Sequence, residues 1–233
     1  MSSIAPKTYQ ADAVKNALEI FRYAENQLQQ VSSAEDQQAI SAHNGCVLLE
    51  APTGAGKTLM AGLIAESFAR NDHRDNAKIV WFWFTPFAGL VEQAKSALKR
   101  DFNGLRIRDL SCERVVYSAQ IGDVFVTTWA SVAASNAKTR KLRINGDLSV
   151  ALDEFIPQLR EAGFRIGVVV DEAHHSFTKA TETVNFYRSV MRPEFSLLIT
   201  ATPDDADVAK FKKAAGLAQV HRIQVSRQNS DAN

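Results

Sequence analysis

The sequence predicts an α/β protein built on a doubly wound, mainly parallel sheet with helices on both faces. Short apolar runs alternate with longer segments of helical periodicity, a pattern typical of parallel strands that are buried on both sides. Right-handed crossovers between such strands produce a doubly wound sheet, in which ligands bind at the carboxyl ends of the strands. The polar motifs of this chain fall at those ends.

Five apolar runs are the strongest strand candidates: 46–50, 79–85, 123–128, 167–171 and 196–200. Two weaker candidates are 114–117 and 221–225. Helices are expected in the intervals, including 10–30, 58–70, 90–99, and 148–162 with a kink at Pro157. Segment 138–147 has four basic residues and an Asn-Gly turn signal, so we expect an exposed loop or hairpin. Its charges indicate a solvated face, with nucleic-acid contact as the alternative.

Composition indicates one large globular domain. The chain has 233 residues, of which 45% are hydrophobic and 23% charged, and no apolar stretch is long enough to span a bilayer. The N-terminus resembles neither a signal peptide nor a transit peptide, so we expect a cytoplasmic protein without a membrane partner. Cys46 and Cys112 fit no metal-binding spacing, and we expect both to fill the core. With a net charge of +1, contact with nucleic acid would need a local patch or backbone amides.

A glycine-rich segment between an apolar run and a helical pattern predicts a phosphate-binding loop. Its residues are Ala51, Pro52, Thr53, Gly54, Ala55, Gly56, Lys57 and Thr58. The glycines let backbone amides surround a polyphosphate, while Lys57 can reach the β and γ phosphates and Thr58 can ligate Mg²⁺. Ala51 stands where the general Walker pattern has glycine. The segment therefore predicts a site for ATP and Mg²⁺.

Two adjacent carboxylates follow the buried run 168–170. Asp171 can complete the Mg²⁺ shell opposite Thr58, while Glu172 can orient and deprotonate an attacking water. Taken alone, two acids at this position could merely cap the next helix. Together with the phosphate-binding loop they predict hydrolysis of ATP, with Lys57, Asp171 and Glu172 as the catalytic group.

The order and spacing of five segments resemble those of superfamily 2 helicases and translocases, in which Ala at the first position of motif I is normal. The segments are 51–58 (motif I), 85–93 (Ia), 126–128 (Ib), 171–174 (a DEAH box) and 200–203 (III). The resemblance implies a RecA-like domain in which His174, Thr200 and Thr202 couple hydrolysis to movement. It also places Tyr9 and Gln10 at an adenine-reading motif, although Gln10 could instead be a solvent-facing helix residue. His175 could be an inert loop histidine.

The forms of motifs Ia and III look more like those of type III restriction-enzyme helicase subunits than those of DEAD-box RNA helicases. DNA is therefore favoured over RNA as the partner, and restriction or modification subunits are possible further partners. Within this resemblance, Thr85, Pro86, Thr127 and Thr128 would hold the phosphates of a single strand. Each threonine could equally be a strand-end residue whose hydroxyl is satisfied within the fold.

The resemblance also implies a division of the chain. Residues 1–44 would form a helical region with the adenine motif, 45–226 the core, and 227–233 a polar tail or the start of a linker. The second motor domain, which supplies an arginine finger, is not expected within these residues, and we expect it in a longer parent chain. Arg222 and Arg227 are expected to be structural or linker residues. Three functions remain open: a DNA-dependent or RNA-dependent motor, an ATPase that acts on protein partners, and a non-hydrolysing module.

Overall fold

A single sheet with helices on both faces organises the molecule. The computed structural model describes residues 5–69, 78–133, 140–145, 149–173 and 181–225. The strands are β1 (Cys46–Glu50), β2 (Ile79–Thr85), β3 (Arg106–Arg108), β4 (Asp123–Thr128), β5 (Arg165–Val170), β6 (Phe195–Thr200) and β7 (His221–Gln224). The helices are α1 (Thr8–Gln29), α2 (Ala34–Asn44), α3 (Lys57–Ala69), α4 (Ala88–Asp101), α5 (Ala130–Ala133), α6 (Leu152–Glu161), α7 (Thr181–Phe186) and α8 (Asp205–Ala215). Within these residues, no helix is both long and apolar enough to cross a membrane.

All seven strands of the described sheet are parallel, in the order β3-β4-β2-β5-β6-β1-β7. The predicted doubly wound α/β fold is therefore confirmed. Since β1 and β2 are separated by β5 and β6, the chain reverses its direction of winding beside β1. Ligands of open α/β sheets bind at such a reversal.

Alternation along β2 divides the core between the two faces of the sheet. Trp81 and Trp83 join a cluster with α1, α3 and α4, whereas Phe82 and Phe84 join a second cluster with α6, α7 and α8. A Cβ added at Gly167 would lie 2.4 Å from the Trp81 ring, so this position requires glycine. Burying each of these rings contributes about 1.5 to 3 kcal/mol. Both faces are thus apolar, as the uniformly hydrophobic runs predict.

The predicted strand at 114–117 is wrong, and its place at the edge is taken by β3, which lacks an apolar run. Residues Val116–Ser118 form a 3₁₀ turn, and Arg114 donates hydrogen bonds to Leu110 O and Val150 O. The edge strand itself is stabilised by charge. Arg106 and Arg108 lie 3.3 Å and 3.2 Å from the buried carboxylate of Asp123, so charged residues replace the apolar pattern on which strand prediction depends.

Three other expectations need correction. Helix α6 begins at Leu152 rather than at 148, while Pro157 lies inside it as predicted. In the described part of segment 138–147, Arg143 forms a two-bond ion pair with Asp153 instead of a solvated face. Cys46 is fully buried, and burial raises the pKa of its thiol to about 12, but Cys112 is exposed and fills no core.

Candidate functional site

The glycine-rich segment forms a tight loop between β1 and α3. Gly54 and Gly56 have φ angles of +85° and +82°, a region of backbone space that side chains disfavour. Ala55 N donates to Pro52 O at 3.1 Å, which closes the loop. A Cβ added at Gly54 would meet no atom within 4 Å, so its backbone faces open space. Helix α3 starts directly after the loop, and its N-terminal N–H groups therefore point toward that space.

Lys57 and the two carboxylates converge beside this loop. Lys57 Nζ donates to Ala51 O at 3.3 Å and lies 3.9 Å from Glu172 Oε1, and the Lys57 side chain is 10% exposed. Asp171 continues from β5, where its backbone N–H donates to Phe84 O at 2.8 Å. Glu172 N donates to Asp171 Oδ1 at 3.0 Å. With a φ of +46°, Glu172 leaves the strand direction, so the two neighbouring carboxylates take different orientations.

Burial raises the pKa of the Asp171 carboxyl above its ordinary value, and the neighbouring Glu172 carboxylate raises that pKa further. The backbone N–H of Glu172 and the Lys57 ammonium act in the opposite direction without cancelling the rise. Because the folded-state pKa exceeds the unfolded one, ionised Asp171 destabilises the ligand-free fold. That destabilisation develops as pH rises through the interval between the two pKa values.

Asp171→Asn is accordingly expected to stabilise the chain in the absence of nucleotide and metal. The amide keeps the shape of the side chain and removes a buried charge beside Glu172, for a gain of about 0.5 to 2 kcal/mol. Thermal unfolding at neutral pH in chelator should show a higher Tm, and the difference from wild type should shrink on acidification. The same substitution at exposed Asp12 is the control. A lower Tm for Asp171→Asn would contradict the assigned burial.

The predicted adenine motif lies against the loop. Gln10 is 6% exposed, and its Nε2 donates to Ala55 O at 2.9 Å while its Oε1 accepts from Lys7 N at 2.9 Å. Tyr9 is also buried and donates its hydroxyl to Ala55 O at 3.2 Å. A Cβ at Gly56 would lie 2.4 Å from Gln10 Nε2. The alternative of a solvent-facing Gln10 is therefore wrong, and both side chains are anchored to the phosphate-binding loop.

Motif III contacts the loop from β6. Thr200 is fully buried, and its carbonyl accepts a hydrogen bond of 3.0 Å from Ala51 N. Thr202 is exposed, and its backbone N–H donates to Thr200 Oγ1 at 3.3 Å. A cavity of about 390 Å³ separates the two segments, and Pro52, Thr53 and Thr202 are among its lining residues. The loop and residues 200–202 are therefore in direct contact.

The candidate nucleic-acid threonines lie at the carboxyl ends of β2 and β4. Thr85 is fully buried and donates its hydroxyl to Phe87 O at 3.1 Å, while Thr127 Oγ1 and Ser131 Oγ are 2.8 Å apart. For these two residues the structure favours the alternative of a hydroxyl satisfied within the fold. Thr128 is partly exposed and accepts from Ser131 N at 3.3 Å. Pro86 is also partly exposed beside it at this edge.

His174 and His175 lie outside the described residues. In the described part of the chain, no group of three or more His, Cys, Asp or Glu side chains is arranged to hold a metal ion.

A family model for the Res subunit of type III restriction enzymes matches residues 3–205, which is most of the chain. The chain belongs to this family. The matched residues include the phosphate-binding loop, both carboxylates and motif III. No curated protein sequence matches the chain.

Solved structures similar to this Res-family chain share its fold at low sequence identity. The core of a Sulfolobus solfataricus SWI2/SNF2 ATPase with double-stranded DNA has a TM-score of 0.58 and 13% identity, covering 91% of this chain and 36% of its own. The type ISP restriction-modification enzyme LlaGI with a DNA substrate mimic has a TM-score of 0.56 and 16% sequence identity. The match covers 98% of this chain and 20% of LlaGI. The UvsW helicase of bacteriophage T4 has a TM-score of 0.53 and 16% sequence identity. The match covers 94% of this chain and 61% of UvsW. The chain thus spans between a fifth and three fifths of these proteins.

Sequence reasoning missed an ion cluster that supports the loop from β7. Glu50, the last residue of β1, is buried and lies 3.3 Å from Arg222 Nε, and it accepts from Gln224 Nε2 at 2.8 Å. Arg222 also pairs with Asp205 at the start of α8. The available signal was a glutamate at the end of the apolar run 46–50, because a buried carboxylate needs a partner. Arg222 is structural, as expected, whereas Arg227 lies outside the described residues.

Proposed function

We propose that this Res-family chain is the ATP-binding and ATP-hydrolysing motor domain of a DNA-dependent helicase or translocase. The proposal depends chiefly on one observation, the approach of the Lys57 ammonium to within 3.9 Å of Glu172 beside the phosphate-binding loop. This approach puts the Lys57 ammonium, which would hold phosphate, next to the Glu172 carboxylate, which would activate water. A loop that bound phosphate for structural reasons alone would need no carboxylate at that position.

The loop fits a polyphosphate. Its two left-handed glycines and the first turn of α3 present N–H groups, and Lys57 has a positive charge whose present partners are a carbonyl and a carboxylate. Arriving phosphates would compete for Lys57 and release Glu172. Thr58 and Asp171 would hold Mg²⁺, which when bound neutralises negative charge on the phosphate oxygens.

Glu172 would act as the base. Its left-handed backbone turns it away from Asp171, so one carboxylate can serve the metal while the other orients and deprotonates water. Burial and the like charge of Glu172, however, raise the pKa of the Asp171 carboxyl and so oppose its ionisation. A metal ion bound beside Lys57 would favour the ionised form of the Asp171 carboxyl and so oppose the effect of its burial.

Tyr9 and Gln10 would read adenine from the rear of the loop. Both polar atoms of the Gln10 side chain form hydrogen bonds within the protein. Its Oε1 accepts from Lys7 N, and its Nε2 donates to Ala55 O. To bind adenine, Gln10 would have to replace one of these hydrogen bonds with a hydrogen bond to the base. Because one of them joins Gln10 to Ala55, base recognition would then be coupled to the position of the loop. Thr200 and Thr202, together with His174, would transmit loop movement, since 200–202 is bonded to Ala51.

For the partner, the Res family and the DNA bound in two of the similar structures favour DNA over RNA. Thr128 and Pro86 are the better placed of the candidate strand contacts because part of their surface is exposed. A second motor domain in a longer chain and restriction or modification subunits are the further partners we propose. An RNA-dependent motor and an ATPase acting on proteins are the alternatives, and ATPase rates with DNA, with RNA and without either would separate them.

Binding of Mg²⁺-nucleotide by the chain is the first test. Calorimetry should show binding of ATP, with GTP weaker if Gln10 reads the base. Lys57→Ala should weaken ATP binding by about 1.5 to 3 kcal/mol, the range for a charge-assisted contact. Lys99→Ala, an exposed lysine on α4, is the control. Equal affinities for ATP and GTP would remove the adenine assignment, and an unchanged affinity in Lys57→Ala would remove the phosphate-loop assignment.

A further inference from the structure

A second polar cavity lies at the opposite edge of the sheet. It has a volume of about 540 Å³ and is lined by Gln38, Asn185, Arg188, Ser189 and Arg192. These residues come from α2 and from the segment that precedes β6, so the cavity lies at the amino ends of the strands. The five residues of β1 alone separate this edge from the phosphate-binding loop by about 16 Å. The cavity is therefore independent of the nucleotide site.

Among the described residues, the lining of this cavity is rich in donors and contains no carboxylate. Arg188 and Arg192 are exposed, and no described residue forms an ion pair with either guanidinium. Gln38 and Asn185 add side-chain amides. An adjoining cavity of about 640 Å³ shares Arg188 and Arg192 with this one and is also lined by Glu35. The Arg160 and Glu194 side chains of that cavity form an ion pair with each other. Positive charge is thus concentrated on the two arginines, called here the arginine pair.

The arginine pair is held on an unusual backbone. Tyr187–Met191 form a π turn, which Arg192 N closes by donating to Tyr187 O at 2.9 Å, and Arg192 has a φ of +40°. Both features cost free energy in a residue with a side chain, and both are found preferentially at functional positions.

Arg160 fixes this conformation. It donates to Met191 O at 2.8 Å and to Arg192 O at 2.6 Å while it pairs with Glu194 at 3.2 Å. The side chain of Arg188 lies across the turn after α8, where a Cβ at Gly216 would be 3.6 Å from its Nε. The strained backbone is therefore held in place by the hydrogen bonds of Arg160.

We propose that the amino-edge cavity binds a phosphate ester through Arg188 and Arg192. Two guanidinium forks match the several acceptor oxygens of a phosphate group, and the amides can serve the remaining ones. The volume lies within the range of ligand sites, about 300 to 1,000 Å³, so the phosphate belongs to a larger molecule. The two sources of this chemistry are the backbone of a polynucleotide and a free nucleotide or other small ester.

The test uses the 233-residue chain with Lys57→Ala, which removes the phosphate-loop lysine. Inorganic pyrophosphate is titrated by calorimetry, and a labelled single-stranded DNA oligonucleotide by anisotropy. Adding Arg188→Gln and Arg192→Gln should weaken pyrophosphate binding about tenfold or more. The matched control is Lys15→Gln with Arg22→Gln, two exposed charges on α1, which should leave binding unchanged. Circular dichroism verifies that both pairs of variants fold.

The outcomes distinguish the sources. Loss of pyrophosphate and oligonucleotide binding together assigns the site to a polynucleotide backbone, a result that rests on the proposed function. Loss of pyrophosphate binding alone assigns it to a small ester and does not depend on that function. The proposal is overturned if pyrophosphate does not bind, or if the control pair weakens binding equally.

Discussion

Glu172→Gln is expected to leave ATP binding near the wild-type affinity and to slow hydrolysis by about 10²- to 10⁴-fold, the range for loss of a general base. The amide preserves the volume of the side chain and its left-handed position after β5. It can no longer accept a proton from water. Since Lys57 lies 3.9 Å from Glu172, removing this charge also frees the lysine for phosphate, so affinity should be retained or slightly increased.

Single-turnover hydrolysis of labelled ATP, with protein in excess, measures the chemical step even where turnover is slow. Asp171→Asn in the same assay should shift the Mg²⁺ concentration needed for half-maximal activity upward, which Glu172→Gln should not do. Glu161→Gln, at the end of α6, is the control for loss of one carboxylate. If Glu172→Gln and Asp171→Asn both hydrolysed ATP at the wild-type rate, neither catalytic assignment would stand.

The parts of the fold that sequence predicts well are those with a strong local pattern. Strands β1, β2 and β4 have the predicted bounds because their apolar runs end abruptly at polar residues. Strand β3 could not be found in this way, since its arginines are stabilised by Asp123, fifteen or more residues along the chain. An ion pair between distant residues leaves no periodic signal.

The candidate site shows the same division. The positions of Lys57, Asp171 and Glu172 follow from strand ends that meet at one edge of a parallel sheet. The burial of Gln10 and the occupied hydroxyl of Thr85 depend on packing against Ala55 and Phe87, which sequence spacing does not reveal. The arginine pair depends on a π turn and a left-handed residue, for which these residue types give no local indication.

The 233-residue chain is expected to hydrolyse ATP about 10³- to 10⁵-fold more slowly than a site completed by an arginine finger, and DNA should stimulate it weakly or not at all. Lys57, Asp171 and Glu172 are the residues proposed to position phosphate, metal and water. Arg222 lies on β7, the strand beside β1. It forms ion pairs with Glu50 and Asp205 and cannot serve the transferring phosphoryl group. A finger would have to come from outside the described residues.

Weak binding of DNA is expected as well. Thr85 and Thr127 use their hydroxyls within the fold, and a net charge of +1 provides little non-specific attraction. Steady-state rates should be compared between this chain alone and this chain with the proposed second motor domain, each with and without single-stranded and duplex DNA. Equal rates and equal stimulation in the two polypeptides would mean that the carboxyl edge of this sheet is catalytically complete. The charge that stabilises the transferring phosphoryl group would then have to come from Lys57 and the N–H groups of the loop alone.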